Sequence, residues 1–175
     1  MNQNEQIPAD TAARLEKALA FATKKHQGQY RIGGLPYITH PQAVADILRQ
    51  QGCSVDYQIA GLFHDLLEDT DATAGEILAL GGSAVLEAVQ LLTKEEGYEM
   101  AEYITRIRAN PMAFAVKGAD RLHNLLCAIC ADESFKRRYI LESTAWYLDF
   151  SPQIPPAVKA LADSLEEPPR DAAER

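Results

Sequence analysis

Cysteine is scarce in this chain. Cys53, Cys127 and Cys130 are the only three, too few and too unevenly spread for a disulfide framework. A reducing, cytoplasmic setting is the simplest expectation. Long apolar runs are missing too. No stretch approaches the roughly 18 consecutive apolar residues that a bilayer span requires. The opening Met1-Asn2-Gln3-Asn4-Glu5-Gln6 is polar and lacks the basic-then-apolar form of a signal peptide. Positive charge is in deficit, with 17 Lys and Arg against 25 Asp and Glu, a net charge of −8. That balance argues against nucleic acid or an anionic membrane as the main partner. It leaves room for a phosphorylated small molecule, because a local metal ion and a few basic side chains outweigh a global field at short range.

What is present reads as helix after helix, with no convincing alternating strand. The 175 residues, 47% of them hydrophobic, suffice for one domain with its own core. Asp10 or Thr11 is placed to cap a first helix through about Lys25. A Gly-rich loop, Gln27 to Pro36, precedes a second helix with Pro41 in its first turn. Ser54 or Asp56 is placed to cap a third, apolar helix. Thr73 and Glu76 have capping-box spacing at a short fourth. Further helices are expected over about 83–92, 98–109, from Pro111 onward, and from Asp132 to about Phe150 with Tyr139, Leu141, Trp146 and Leu148 for packing. A short one through Leu165 is plausible. An all-α architecture of about eight helices over residues 1–165 is therefore expected, with residues 166–175 a disordered tail. The Cys127-Ala128-Ile129-Cys130 pattern, with no second pair nearby, is read as two small buried thiols.

The densest chemistry lies in Phe63-His64-Asp65-Leu66-Leu67-Glu68-Asp69-Thr70. Four groups able to bind metal or move protons occupy six residues directly after an apolar helix. Buried carboxylates are costly unless paired, hydrogen-bonded or bound to a cation. Helical spacing puts His64 and Glu68 on one face and Asp65 and Asp69 on the adjacent strip. His40 stands at a helix start after the Gly/Pro loop. Asp120 stands in a mostly apolar helix, where a structural role is awkward.

These pieces carry a family likeness. "QYRIGGLPYITHP", "AGLFHDLLEDTDAT" and "VKGADRLHNL" resemble the hydrolase domain of RelA/SpoT enzymes and the small alarmone hydrolases, within the HD phosphohydrolase superfamily. The likeness runs from about Ala18 to Leu125. It implies an HD-domain fold and one Mn²⁺ held by His40, His64, Asp65 and Asp120. It implies that Glu68 and Asp69 handle the reacting water, with Glu68 its main partner and Asp69 assisting. It places Arg31 against the purine and Asn124 near the ribose or phosphate. The reaction implied is loss of diphosphate from the 3′ position of ppGpp or pppGpp. With no room for a synthetase domain in 175 residues, it implies a hydrolase-only form. Two imidazoles and two carboxylates suit a borderline-to-hard divalent ion on independent grounds.

The sequence departs from the family pattern at two places. Ile32 follows Arg31 where a basic residue is common, and Leu126-Cys127 stand where Arg-Thr is common. Both departures remove polar groups near the expected nucleotide. A phosphohydrolase of adenine alarmones or of NADPH is thus the competing enzymatic reading, and a non-catalytic nucleotide-binding module the third. His26 and His123 are read as structural or exposed rather than as ligands.

Overall fold

Six of the nine residues of one helix, Gln58 to Phe63, are buried, and the elements around it are arranged to bury them. The computed structural model describes residues 9–31 and 33–166. Ile32 and residues 167–175 of the expected tail lie outside the described residues. The chain divides into two compact units, Met1–Ala119 and Asp120–Arg175. Among the described residues there are ten helices and no strand. An isolated antiparallel bridge joins Tyr30 and Pro36.

The first unit contains α1 (Ala9–Lys25), α2 (Thr39–Gln50), α3 (Val55–Phe63), α4 (Leu66–Asp69), α5 (Ala74–Gly81), α6 (Ser83–Leu92) and α7 (Met100–Ala109). The apolar α3 packs against α1, α2, α5 and α6. The last two turns of α3 are apolar around most of their circumference and have to be surrounded. Gly61 is what lets α2 come close. A Cβ built there would sit 2.9 Å from Leu48 Cδ1 and 3.3 Å from the Ala45 backbone nitrogen. Neither Ser54 nor Asp56 caps α3 through its side chain, and the Asp56 carboxylate instead accepts from Arg14 at 2.7 Å. The expected capping box is present, with Thr73 and Glu76 exchanging both hydrogen bonds. Tyr103 is fully buried and donates its hydroxyl to the Leu92 carbonyl at 2.9 Å.

The helix count exceeds eight partly because the apolar helix stops at Phe63. His64 and Asp65 form a turn, with Asp65 at φ −101°, ψ −2°, and Leu66–Asp69 restarts as a single turn. The helix α8 (Pro111–Ala128) begins with Asn110 Oδ1 accepting from the Met112 and Ala113 backbone nitrogens.

The second unit contains α9 (Glu133–Trp146), packed on α10 (Ile154–Glu166). Asp132 caps α9 by accepting from the Phe135 nitrogen. The helix ends at Trp146 rather than near Phe150, because Tyr147 leaves the helical region at φ −124°, ψ 0°. The packing residues shift accordingly. Tyr147 and Phe150 are buried, whereas Leu141 and Leu148 are exposed. Arg121 is buried, pairs with Glu142 at 2.7 Å and lies against the rings of Tyr147 and Tyr139 at 4.1 and 4.8 Å. Desolvation pulls its pKa down, but Glu142, Tyr147 and Asp120 together raise it and hold the guanidinium charged. The expectation of two buried thiols is corrected. Cys127 and Cys130 are both exposed and free: Cys127 lies on the outward side of the last turn of α8 and Cys130 in the turn that follows it, and Cys127 Sγ contacts His123 Nε2 at 3.5 Å.

Gly61→Val forces two γ-methyl groups between α3 and α2. Overpacking of this kind is expected to destabilise by about 1–3 kcal/mol, read as a lower urea midpoint at unchanged m-value.

Candidate metal centre

The C-terminal end of α3 and the N-terminal end of α2 meet at three side chains. His40 is the second residue of α2 and is buried; its backbone nitrogen is fixed by the Tyr37 carbonyl at 2.9 Å. His64 terminates α3 and is also buried. Asp65 follows in the turn. The break after Phe63 matters here, because adjacent residues in a continued helix diverge by about 100° and do not face each other. His64 Nε2 lies 2.9 Å from Asp65 Oδ2, and His40 Nε2 lies 3.8 Å from the same oxygen. One ligand atom from each of the three falls within 4.8 Å of the others.

The protonation pattern follows from the neighbours. His64 Nδ1 contacts the Gly61 carbonyl at 2.8 Å. A carbonyl only accepts, so Nδ1 carries the proton, and in the neutral form of the ring the Nε2 lone pair is what faces Asp65. Asp65 Oδ2 already accepts from the Tyr37 hydroxyl at 2.6 Å. A buried lone pair and a carboxylate oxygen facing each other at 2.9 Å attract only through a cation between them. A proton satisfies one nitrogen, whereas two imidazoles about one carboxylate oxygen fit a divalent ion. The carbonyl end of α3 adds its partial negative charge on the same side. The hydrogen bond from Nδ1 to a backbone carbonyl is the usual outer support of a metal-binding imidazole.

Asp69 stands one turn beyond Asp65. Burial pushes its pKa up, reinforced by the Asp65 and Glu68 charges, while His26 and a hydrogen bond from Tyr37 oppose the rise. Glu68 is exposed, and its Oε2 accepts from the Lys94 backbone nitrogen at 3.1 Å. Arg31 is half-buried in the loop before α2, where its backbone nitrogen bonds the Leu35 carbonyl at 2.8 Å and its carbonyl accepts from Gly34 at 2.9 Å. Asp120 and Asn124 belong to the second unit and come together there. Asp120 is buried, and its Oδ1 accepts from Asn124 Nδ2 at 2.6 Å.

Two participants went unassigned in the sequence reading. Tyr37 donates to Asp65, and its hydroxyl also lies 3.4 Å from Asp69 Oδ2. Gln29 Nε2 donates to the Asp69 carbonyl at 2.7 Å. Tyr37 precedes His40 by three positions, which was the available signal. Gln29 is 40 residues from its partner, and nothing in the sequence marks that pairing.

The sequence profile of the HD domain matches residues 18–150. The chain belongs to the HD-domain family. Relatives of this HD-domain chain include a probable GTP pyrophosphokinase of Mycobacterium leprae, 35% identical over 130 residues, covering 69% of this chain and 16% of the relative. They also include the bifunctional (p)ppGpp synthase/hydrolase SpoT of Escherichia coli K12, 34% identical, covering 68% and 18%. The chain thus spans less than a fifth of these relatives' length. A solved structure titled "A metazoan ortholog of SpoT hydrolyzes ppGpp and plays a role in starvation responses" matches at TM-score 0.65 and 23% identity, over 92% of this chain and 94% of that one. The all-α HD-domain bundle expected from the sequence is the fold observed.

Asp65→Ala removes the oxygen that both imidazoles approach. The expected outcome is loss of bound divalent metal in elemental analysis, with the far-UV circular dichroism retained.

Proposed function

We propose that this HD-domain chain is an Mn²⁺-dependent pyrophosphohydrolase that releases diphosphate from the 3′ position of ppGpp or pppGpp. The observation that carries the reading is the meeting of the buried His64 and His40 rings at the half-buried Asp65 carboxylate, with His64 Nε2 and Asp65 Oδ2 2.9 Å apart. The names of the relatives, which include (p)ppGpp synthase/hydrolase, support the substrate class. We take residues 1–165 as one functional domain, with Asp120 as the fourth ligand. That assignment rests on the HD-type order of its residues and on the chemistry of a buried carboxylate held by Asn124. No helix among the described residues is long and apolar enough to cross a membrane. The free cysteines suit a cytoplasmic enzyme.

When bound, a divalent ion supplies Lewis-acid polarisation of the phosphoryl oxygens and makes water a competent nucleophile near neutral pH. The chain's own residues do the rest. His40, His64, Asp65 and Asp120 would hold the ion, and Tyr37 fixes the Asp65 carboxylate. Glu68 is the main partner of the attacking water, and Asp69 assists by receiving its proton at a carboxylate oxygen. The raised pKa of Asp69 supports that role, because a base is most effective when its pKa approaches the working pH. Glu68, anchored through one oxygen on the Lys94 nitrogen, helps orient the water. The bond between the 3′ oxygen and phosphorus breaks, water oxygen joins the phosphorus, and GDP or GTP leaves with diphosphate. Arg31 stacks its planar guanidinium on the purine.

A second enzymatic reading keeps the metal chemistry and changes the base. Leu126 and Cys127, where Arg-Thr is common in the family, are both exposed, so these two positions offer a nucleotide neither a guanidinium nor a hydroxyl. Adenine alarmones and NADPH are the alternative substrates.

Purified protein with Mn²⁺ is expected to release diphosphate from ppGpp and pppGpp faster than from ppApp, and faster than it dephosphorylates NADPH, with products separated by anion exchange; the reverse order would select the adenine reading. Glu68→Ala and Asp69→Asn are each expected to slow kcat by ~10²-fold or more at unchanged metal content.

A further inference from the structure

The helix that carries Asp69 is a single turn. It is held by the Asp69 and Thr70 backbone nitrogens on the Asp65 and Leu66 carbonyls, at 2.9 and 3.2 Å. One turn does not hold itself in water, so the direction of the Asp69 carboxyl has to be imposed from outside. Two legs reach it. Gln29 Nε2 donates to the Asp69 carbonyl at 2.7 Å, and the Tyr37 hydroxyl lies 3.4 Å from Asp69 Oδ2. Both legs stand on His26. Because the Gln29 amide nitrogen faces a carbonyl, its Oε1 faces His26 Nδ1 at 2.7 Å, which makes Nδ1 the donor. The His26 ring lies on the Tyr37 ring with centroids 4.8 Å apart, and the Tyr37 backbone nitrogen bonds the Gln29 carbonyl at 2.9 Å. His26 itself is anchored to the end of α1, its nitrogen on the Ala22 carbonyl at 3.0 Å.

A packing role does not account for an imidazole here. His26 is 2% exposed, and its Nε2 is buried without a hydrogen-bond partner. A buried orphan nitrogen is unfavourable, and a phenyl ring fills similar space without one. What the imidazole adds is the Nδ1 donor that orients Gln29. We propose that Gln29 and His26 are positioning residues that act through Asp69: the ring sets the amide, the amide pins the one-turn helix, and the Asp69 carboxyl is held beside the Tyr37–Asp65 pair. The proposal rests on the phosphohydrolase reading for what the held carboxyl then does, but the clamp is a structural claim that stands or falls separately.

The test uses the full chain with Mn²⁺ and four variants. Gln29→Met keeps length and loses both hydrogen bonds. His26→Phe keeps the ring and loses the donor, whereas His26→Asn keeps an N–H where Nδ1 was. Asp69→Asn supplies the background for a double-mutant cycle. Amide hydrogen exchange at Asp69 and Thr70 is expected to speed up about tenfold in Gln29→Met and His26→Phe, with circular dichroism and manganese content unchanged. With ppGpp, the same two variants are expected to lose about tenfold or more in kcat with KM within about twofold. His26→Asn is expected to recover most of that loss. In the Asp69→Asn background, Gln29→Met is expected to have no further effect. Exchange at the wild-type rate, or a kcat loss that persists in full in the Asp69→Asn background, would overturn the proposal. If wild-type protein released no diphosphate from ppGpp, the substrate reading would fail, and the exchange rates alone would decide the clamp.

Discussion

Two electron-rich atoms stand 2.9 Å apart at the buried end of α3, and the surrounding structure holds them there. His64 Nε2 faces Asp65 Oδ2 because Gly61 fixes the tautomer and Tyr37 fixes the carboxylate. Left to themselves, a lone pair and a carboxylate oxygen separate into solvent. Here the His64 ring cannot leave, because the apolar helix that ends in it is enclosed by four others. The fold therefore stores an electrostatic demand for positive charge at one point, and the third donor, His40, comes from another helix to the same point. A divalent ion taken up at that point would be coupled to folding through that demand.

The part of this arrangement that was legible in the sequence is the part with local spacing. An apolar run followed by His64-Asp65, with Glu68-Asp69 one turn on, announces charged groups that a core cannot absorb. The helices themselves were legible mostly from their apolar spacing; the capping box of Thr73 and Glu76 is present as expected, whereas the cap expected at Ser54 or Asp56 is not. The break after Phe63 was not. Periodicity runs smoothly through His64 and Asp65, and the turn arises from tertiary demands: His64 must bond back to Gly61, and Asp65 must reach Tyr37. The end of α9 was misplaced for a related reason. Tyr147 and Phe150 are apolar enough to continue a helical stripe, yet the chain turns at Tyr147 to bury both rings.

The long-range polar contacts were the least legible. Gln29 with Asp69 and Lys94 with Glu68 are backbone-to-side-chain bonds between segments far apart in the chain. Such bonds leave no compositional trace, because half of each is a peptide group that any residue possesses. The thiols at Cys127 and Cys130 failed for the opposite reason. Small size argues for burial on average, but the last turn of α8 and the turn after it present the two to solvent.

Gly61 ties two requirements together. Its missing side chain admits the helix bearing one histidine, and its carbonyl orients the other. The separation between the two imidazoles is thus gauged at a single backbone position outside the donor set. Any divalent ion taken up there would meet a spacing set by how closely two helices approach, not by the donors alone.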